Sequence, residues 1–183
     1  MHDTSERHPD IHWPSGFSPA DAHSFHRARA VVPGRPERIF AFLTDAADWT
    51  SWVPGCGGVS TGSFAQTFEA DWAGQHFEVF VGEYEPPTRL GWLWISTSVQ
   101  LYQAWLFTEV EAGTEIVVEN VVRGSAPKAI DTAAPLWARR LDALWHGQLA
   151  KISENAARPE AASDASGVRE SVSAGDGRSP AGR

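Results

Sequence analysis

The chain has 183 residues, 42% hydrophobic and 21% charged, with a net charge of -8. That is enough apolar material for one core, and the acidic balance disfavours nucleic acid, whose binders carry basic stripes. A single cysteine, Cys56, excludes an intramolecular disulfide. No run approaches the roughly 20 apolar residues of a membrane span, and the polar start MHDTSERHPDIHWPSG lacks the apolar core of a secretory signal, so a cytoplasmic location is expected. Nine tryptophans stand beside nine phenylalanines. Each buried aromatic brings a large apolar surface, so this number predicts either a dense core or a wall around an apolar space.

The two ends differ from the middle. Residues 1–22 carry Pro9, Pro14 and Pro19, with His2, His8 and His12, and show no periodicity. They read as a flexible arm, and the histidine spacing matches no metal-ligand template. Residues 156–183 are rich in Ala, Ser and Gly, with Val168 and Val172 as lone aliphatics. They bury too little to offset ordering entropy, so a disordered tail is expected. The folded domain is then 23–155.

Within it, HSFHRARAVV (23–32) alternates as a strand and Pro33-Gly34 ends it. Pro36 suits the first turn of a short helix carrying Ile39, Phe42 and Leu43 on one face. Asp45 is placed to cap a second stub, in which Trp49, Trp52 and Val53 repeat that spacing. Neither stub is long enough to be stable alone, so both should bury their tryptophans against the rest. From 57 to 123 the texture is strand and turn. QTFEADWAG (66–74), QHFEVFVGEYE (75–85), TRLGWLWIS (88–96), VQLYQAWLFTEV (99–110) and EIVVENVVRG (115–124) follow one another with short turns, which predicts an antiparallel meander. The fourth is apolar on both faces and should be covered on both. The last element, PLWARRLDALWHGQLAKISE (135–154), is a long amphipathic helix with Trp137, Leu141, Leu144, Trp145, Gln148, Leu149 and Ile152 along one stripe. Such a helix can cover one face of the sheet, with the stubs plugging an end.

Four stretches, VVPGRPERIFAFLTDAADWTSWVPG, GEYEPPTRLGW, AWLFTEVEAGTEIVVENV and PLWARRLDALWHGQLAKI, together resemble the START-like superfamily, also called SRPBCC, over about 25–154. The resemblance implies an α+β helix-grip fold: a seven-stranded curved antiparallel sheet around a long C-terminal helix, with two short helices after the first strand and an apolar cavity between sheet and helix. It implies hydrophobic small molecules as ligands and fixes no reaction, since members include polyketide cyclases, carriers, receptors and homologues of chaperone-ATPase activators.

No HExxH, paired Cys/His set, G-x-S-x-G or P-loop is present, so neither a metal nor a cofactor is expected. Cys56 has no acid–base context and reads as a small loop residue. His76 with Glu78, and Asp142 with His146, read as solvent-facing pairs. Stronger candidates are polar residues in phase with apolar ones. Asn120 lies in phase with Ile116, Val118 and Val122, and Gln103 with Leu101 and Trp105. A buried amide needs partners, so Asn120 either bonds backbone or faces a cavity. Tyr84 and Tyr102 could aim phenols into the same space, and Trp72, Trp92, Trp94, Trp105, Trp137, Leu141 and Trp145 are expected to line it. Three functions are compatible with this reading: binding of a hydrophobic, aromatic or polyketide-like small molecule, by a monomer or homodimer; a polyketide cyclase or dehydratase-like reaction in the same cavity; or a protein-interaction module using an apolar patch around Trp13 and Phe17.

Overall fold

The computed structural model describes residues 8–60, 66–72, 74–124 and 145–158. The strands are β1 (Ser24–Val32), β2 (Cys56–Val59), β3 (Thr67–Trp72), β4 (Gln75–Glu85), β5 (Arg89–Ile95), β6 (Val99–Val110) and β7 (Gly113–Gly124), and the first two helices are α1 (Pro36–Thr44) and α2 (Trp49–Trp52). They build one curved seven-stranded sheet in the order β1-β7-β6-β5-β4-β3-β2. Every pairing is antiparallel. Residues 145–156 are the described part of a C-terminal helix, α3. The predicted helix-grip architecture is therefore present. Residues 135–144 of the expected helix, with Trp137 and Leu141, lie outside the described residues.

Short turns hold the meander in register, and one of them requires glycine. Gly113 opens β7 with φ 132°, and a Cβ there would overlap the carbonyl oxygen of Val32. The β6–β7 turn can then tuck against the end of β1, where Thr114 Oγ1 donates to the Gly34 carbonyl at 2.8 Å. β2, CGGV, gave no sequence signal: two adjacent glycines break the alternation on which strand recognition depends.

α1 and α2 cross from β1 to the far edge at β2 and fill one end of the inner face. Ile39, Phe40 and Leu43 are buried, as are Trp49 and Trp52. Trp49 Nε1 donates to the Leu43 carbonyl at 2.8 Å, and Phe42 stacks on Trp52 with centroids 4.5 Å apart. The expected Asp45 cap is not made by its side chain: a 3-10 turn, Ala46–Asp48, intervenes before α2. α1 also holds the end of α3. Arg38 Nη2 donates to the Asn155 carbonyl at 2.9 Å, where a helix C-terminus presents unpaired carbonyls and favours a cation.

The outer face of the sheet differs from the expected picture. An arm over 1–22 was to be loose, yet its described part, residues 8–22, lies on the sheet. Ile11 is buried with Tyr102, Ala104, Leu106 and Val117. Trp13 meets Phe25 and Tyr102 at 6.3 and 5.8 Å, and Phe17 meets Tyr102 at 6.1 Å. The His8 backbone N–H donates to Glu119 Oε1 at 2.5 Å, His12 Nδ1 lies 2.9 Å from Glu83 Oε1, and Arg123 both donates to the Gly16 carbonyl and sits over the Phe17 ring. The physical reason is the double-sided hydrophobicity of β6, whose second apolar face needs a cover. Among the described residues Ile11, Trp13 and Phe17 supply it, too irregularly spaced to register as periodicity.

Tyr102 belongs to this outer cluster. Its ring lies over Gly91, where a Cβ would overlap the phenol oxygen. Gly91→Ala should therefore destabilise the fold, by roughly 1–3 kcal/mol as an overpacking change. Adding Tyr102→Phe should recover part of the loss, and urea denaturation of the single and double variants measures it. Burial, and then the nearby Glu83 carboxylate, push the Tyr102 pKa above the ordinary tyrosine range, up to about 12. The folded state holds this proton more tightly than the unfolded chain, so its contribution is complete below about pH 10 and is lost as pH rises through 12. On the order of 3 kcal/mol should disappear over that window. Tyr102→Phe should flatten the high-pH limb of a stability–pH curve.

Candidate functional site

The inner face between the sheet and α3 concentrates aromatic surface around a few amides. β5 points Trp92 and Trp94 inward, β3 adds Trp72, and α2 contributes Trp49. Trp49 lies 5.3 Å from Trp92 and 6.0 Å from Trp94, and Trp72 lies 5.7 Å from Trp94, centroid to centroid. With Leu43, Val53, Gln103 and Gln148 these four rings enclose a small void of about 10 Å³, roughly the room one water needs. α3 closes it from above: the helix passes the turn after α2 so tightly that a Cβ on Gly147 would stand 2.9 Å from Pro54 Cγ.

Strand register lines the polar groups up. Asn120 on β7 pairs with Gln103 on β6, which pairs with Trp92 on β5. Gln103 Oε1 accepts two indole N–H groups, from Trp92 at 2.8 Å and from Trp105 at 3.3 Å. It is thereby fixed as the acceptor of the aromatic wall. Asn120 is different. It is 0% exposed, and neither its Oδ1 nor its Nδ2 has a hydrogen-bond partner. The Gln148 Oε1 atom on α3 is also buried and unpaired, as are the Trp94 and Trp145 indole N–H groups. Unpaired buried amides are costly, each group by about 1–3 kcal/mol, so this end of the interior is built with donors and acceptors that the described side chains do not use.

Of the expected lining residues, Trp72, Trp92, Trp94 and Gln103 surround the void. Asn120, Trp105 and Trp145 share the inner face with it, Trp105 stacking on Phe107 with rings 8° from parallel. Of the two alternatives open for Asn120, a backbone bond is absent. Two expectations are corrected. Tyr102 faces outward, as period-two alternation demands once Gln103 points in. Tyr84 shares the inner side of the sheet with its partner Leu90 but stands at the rim, 50% exposed, with its ring edge-to-face on Phe40 and away from the void. Trp49, Leu43 and Gln148 complete the wall without having been singled out. Gln148 lay in plain sight on the apolar stripe of the last helix, the one polar residue in phase with it.

Elsewhere the titratable groups are bland. His76 is exposed, and its pKa is raised by the Asp71 carboxylate 2.9 Å from Nδ1, with Glu69 and Glu78 adding to it. Burial raises the Cys56 thiol pKa, which leaves it a poor nucleophile. Among the described residues no group of three or more metal-ligating side chains occurs, and no helix is long and apolar enough to cross a membrane.

No family model and no curated protein matches the sequence. Solved structures match the fold. A hypothetical protein from Helicobacter pylori superposes with a TM-score of 0.68 at 19% identity, over 82% of this chain and 98% of that one. The di-domain ARO/CYC StfQ from the steffimycin biosynthetic pathway gives 0.61 at 16% identity, over 72% of this chain and 50% of that one. A START superfamily protein from Mycobacterium smegmatis gives 0.54 at 13% identity, over 70% and 98%. The chain has the START-like fold that its sequence resembles.

The wall depends on Gln103. Gln103→Leu keeps the volume and removes the acceptor shared by two buried indoles, so it should cost roughly 2–4 kcal/mol. Urea denaturation followed by tryptophan fluorescence measures the loss. A variant within 0.5 kcal/mol of the parent, a threshold of about half a net hydrogen bond, would mean the two indoles are held by packing alone.

Proposed function

We propose that this chain binds a hydrophobic, oxygen-bearing small molecule between its sheet and α3. The observation that carries the reading is Asn120: fully buried, with neither amide atom hydrogen-bonded, beside a wall of tryptophans. Small-molecule sites combine an apolar lining with a few placed polar groups, and an asparagine offers both a donor and an acceptor to a ligand's polar end. The START-like fold and its occurrence in an ARO/CYC protein of the steffimycin pathway support a small-molecule ligand. The void of about 10 Å³ is far below the roughly 300 Å³ at which ligand pockets begin, so binding needs α3 or α2 to draw back from the sheet. The interaction-module reading is weaker, because Trp13 and Phe17 pack on this chain's own Tyr102.

The test compares 2-naphthol with naphthalene, read by quenching of tryptophan fluorescence. Asn120→Leu should weaken 2-naphthol by about 1–3 kcal/mol and leave naphthalene unchanged. Its thermal stability should hold or rise, since an unpaired amide is replaced by an apolar group of similar volume. Equal losses for both probes, or none, would defeat the role given to Asn120. Absence of saturable quenching by either probe would defeat the binding reading itself.

A further inference from the structure

Four indoles wall the void under α3, and three of them already use their N–H groups. Trp49 Nε1 donates to the Leu43 carbonyl at 2.8 Å, Trp72 Nε1 to the Pro54 carbonyl at 3.0 Å, and Trp92 Nε1 to Gln103 Oε1 at 2.8 Å. Trp94 is the exception: its Nε1 is buried and has no hydrogen-bond partner among the described residues. The two glutamines of the wall divide in the same way. Gln103 Oε1 accepts a second indole, from Trp105, and so has both lone pairs engaged. Gln148 is 8% exposed, and its Oε1 is buried with no partner among the described residues. One donor and one acceptor are thus left over at a void of about 10 Å³, roughly the room of one water-sized oxygen group. None of the described residues lining it is ionisable. The two atoms come from opposite sides, Trp94 from β5 and Gln148 from α3. Asn120 lies elsewhere on the inner face. It pairs with Gln103, Gln103 pairs with Trp92, and Trp94 is two residues further along β5. With strands about 4.8 Å apart and a rise of about 3.4 Å per residue, Asn120 and Trp94 stand roughly 12 Å apart, backbone to backbone.

We infer that Trp94 and Gln148 form a second polar subsite, and that it takes a neutral hydroxyl group at the end of the ligand remote from Asn120. This deepens the binding reading above and rests on it. A hydroxyl oxygen accepts from Trp94 Nε1–H and donates its own hydrogen to Gln148 Oε1, so one group satisfies both atoms. A carbonyl or ether oxygen accepts from Trp94 and leaves Gln148 Oε1 unpaired. A carboxylate sets its charge against a glutamine oxygen in a wall without a cation, and an ammonium faces an indole N–H. Burying either ion without a counter-charge costs far more than burying a neutral hydroxyl with both its bonds made. The subsite also joins α3 to the sheet. The hydroxyl accepts from the sheet and donates to the helix, so α3 is drawn back over a ligand that carries it. A ligand with a single hydroxyl goes to Asn120, which offers donor and acceptor on one side chain of the sheet and needs no such closure.

Naphthalene-2,6-diol tests this against 2-naphthol, which has the same rings and one hydroxyl fewer. The affinity of the full chain for each is measured by titration calorimetry at about pH 7, roughly three units below an ordinary phenol pKa. The parent should bind the diol about tenfold more tightly than 2-naphthol, for the two hydrogen bonds gained, well beyond the roughly twofold advantage that two equivalent hydroxyls give by statistics alone. 6-Hydroxy-2-naphthoate, with a carboxylate in place of the second hydroxyl, should bind no more tightly than 2-naphthol. Gln148→Leu removes the acceptor at similar volume, and Trp94→Phe removes the donor while keeping an aromatic ring. Each should bring the diol to within about twofold of 2-naphthol. The ratio of the two affinities is read within each protein, so a general loss from repacking cancels, and Trp94→Phe decides if Gln148→Leu melts early. Saturable binding of both probes to the parent with affinities within about twofold overturns the subsite and leaves the binding reading intact. A preference of about tenfold that both variants retain, or a naphthoate that binds as tightly as the diol, overturns it in the same way. Failure of every probe to bind overturns the two readings together.

Discussion

β6 and β7 pair from Val99↔Gly124 to Val110↔Gly113 without a break, and that register decides what each face of the sheet contains. It sets Gln103 beside Asn120 on the inside and Tyr102 beside Val121 on the outside. β1 extends the inner row by His26 and the outer row by Arg27 beside Glu119. Because side chains alternate strictly, a slip of one residue would exchange the two faces. It would put Glu119 under α3 and Asn120 against the arm. Burial on both faces makes that slip expensive, which is why the longest strands are also the most fully covered.

The polar groups inside fall into two kinds, and energy separates them. Gln103 is enclosed and satisfied, since two indoles point at one oxygen. Such an amide serves packing: it fixes the orientations of two rings in a largely apolar core. Asn120 is equally enclosed, and its amide bonds to nothing. A valine or leucine would have been more stable there, so packing alone does not account for it. The contrast between two adjacent amides in one row is a better guide to a site than the void beside them, which is too small to hold a ligand as it stands.

The fold was legible in the sequence wherever a face was apolar over several turns or strands. Period two in β3–β7 and the stripe Trp145, Leu149, Ile152 on the last helix gave the meander and its cover. Asn120 and Gln103 stood out because they interrupt apolar phases. What failed to show had weaker physical signals. Tyr102 was assigned to the interior because β6 is apolar on both faces, and phase cannot then say which face is which. Tyr84 was misplaced because residue type and phase do not tell how far along a strand the cavity extends: it shares the inner side with Leu90 but stands at the rim. The arm carries its anchors at Ile11, Trp13 and Phe17 on irregular backbone, where there is no period to detect.

Both faces being packed also determines where the molecule can open. The sheet cannot bend away from α3 near Asn120, because Ile11, Trp13 and the backbone of His8 hold its other side directly behind that residue, at Tyr102 and Glu119. α3 is fixed at its C-terminal end by Arg38 on its last carbonyls. At Gly147 it meets Pro54, in the turn after α2, through contact, with no hydrogen bond between these two residues. Contact without directional bonds separates at the smallest free-energy penalty, and this contact stands directly over Gln148 and the four tryptophans. On the binding reading proposed above, the described residues would part between α3 and the Pro54 turn, since the Arg38 bond to the Asn155 carbonyl lies at the other end of the described helix.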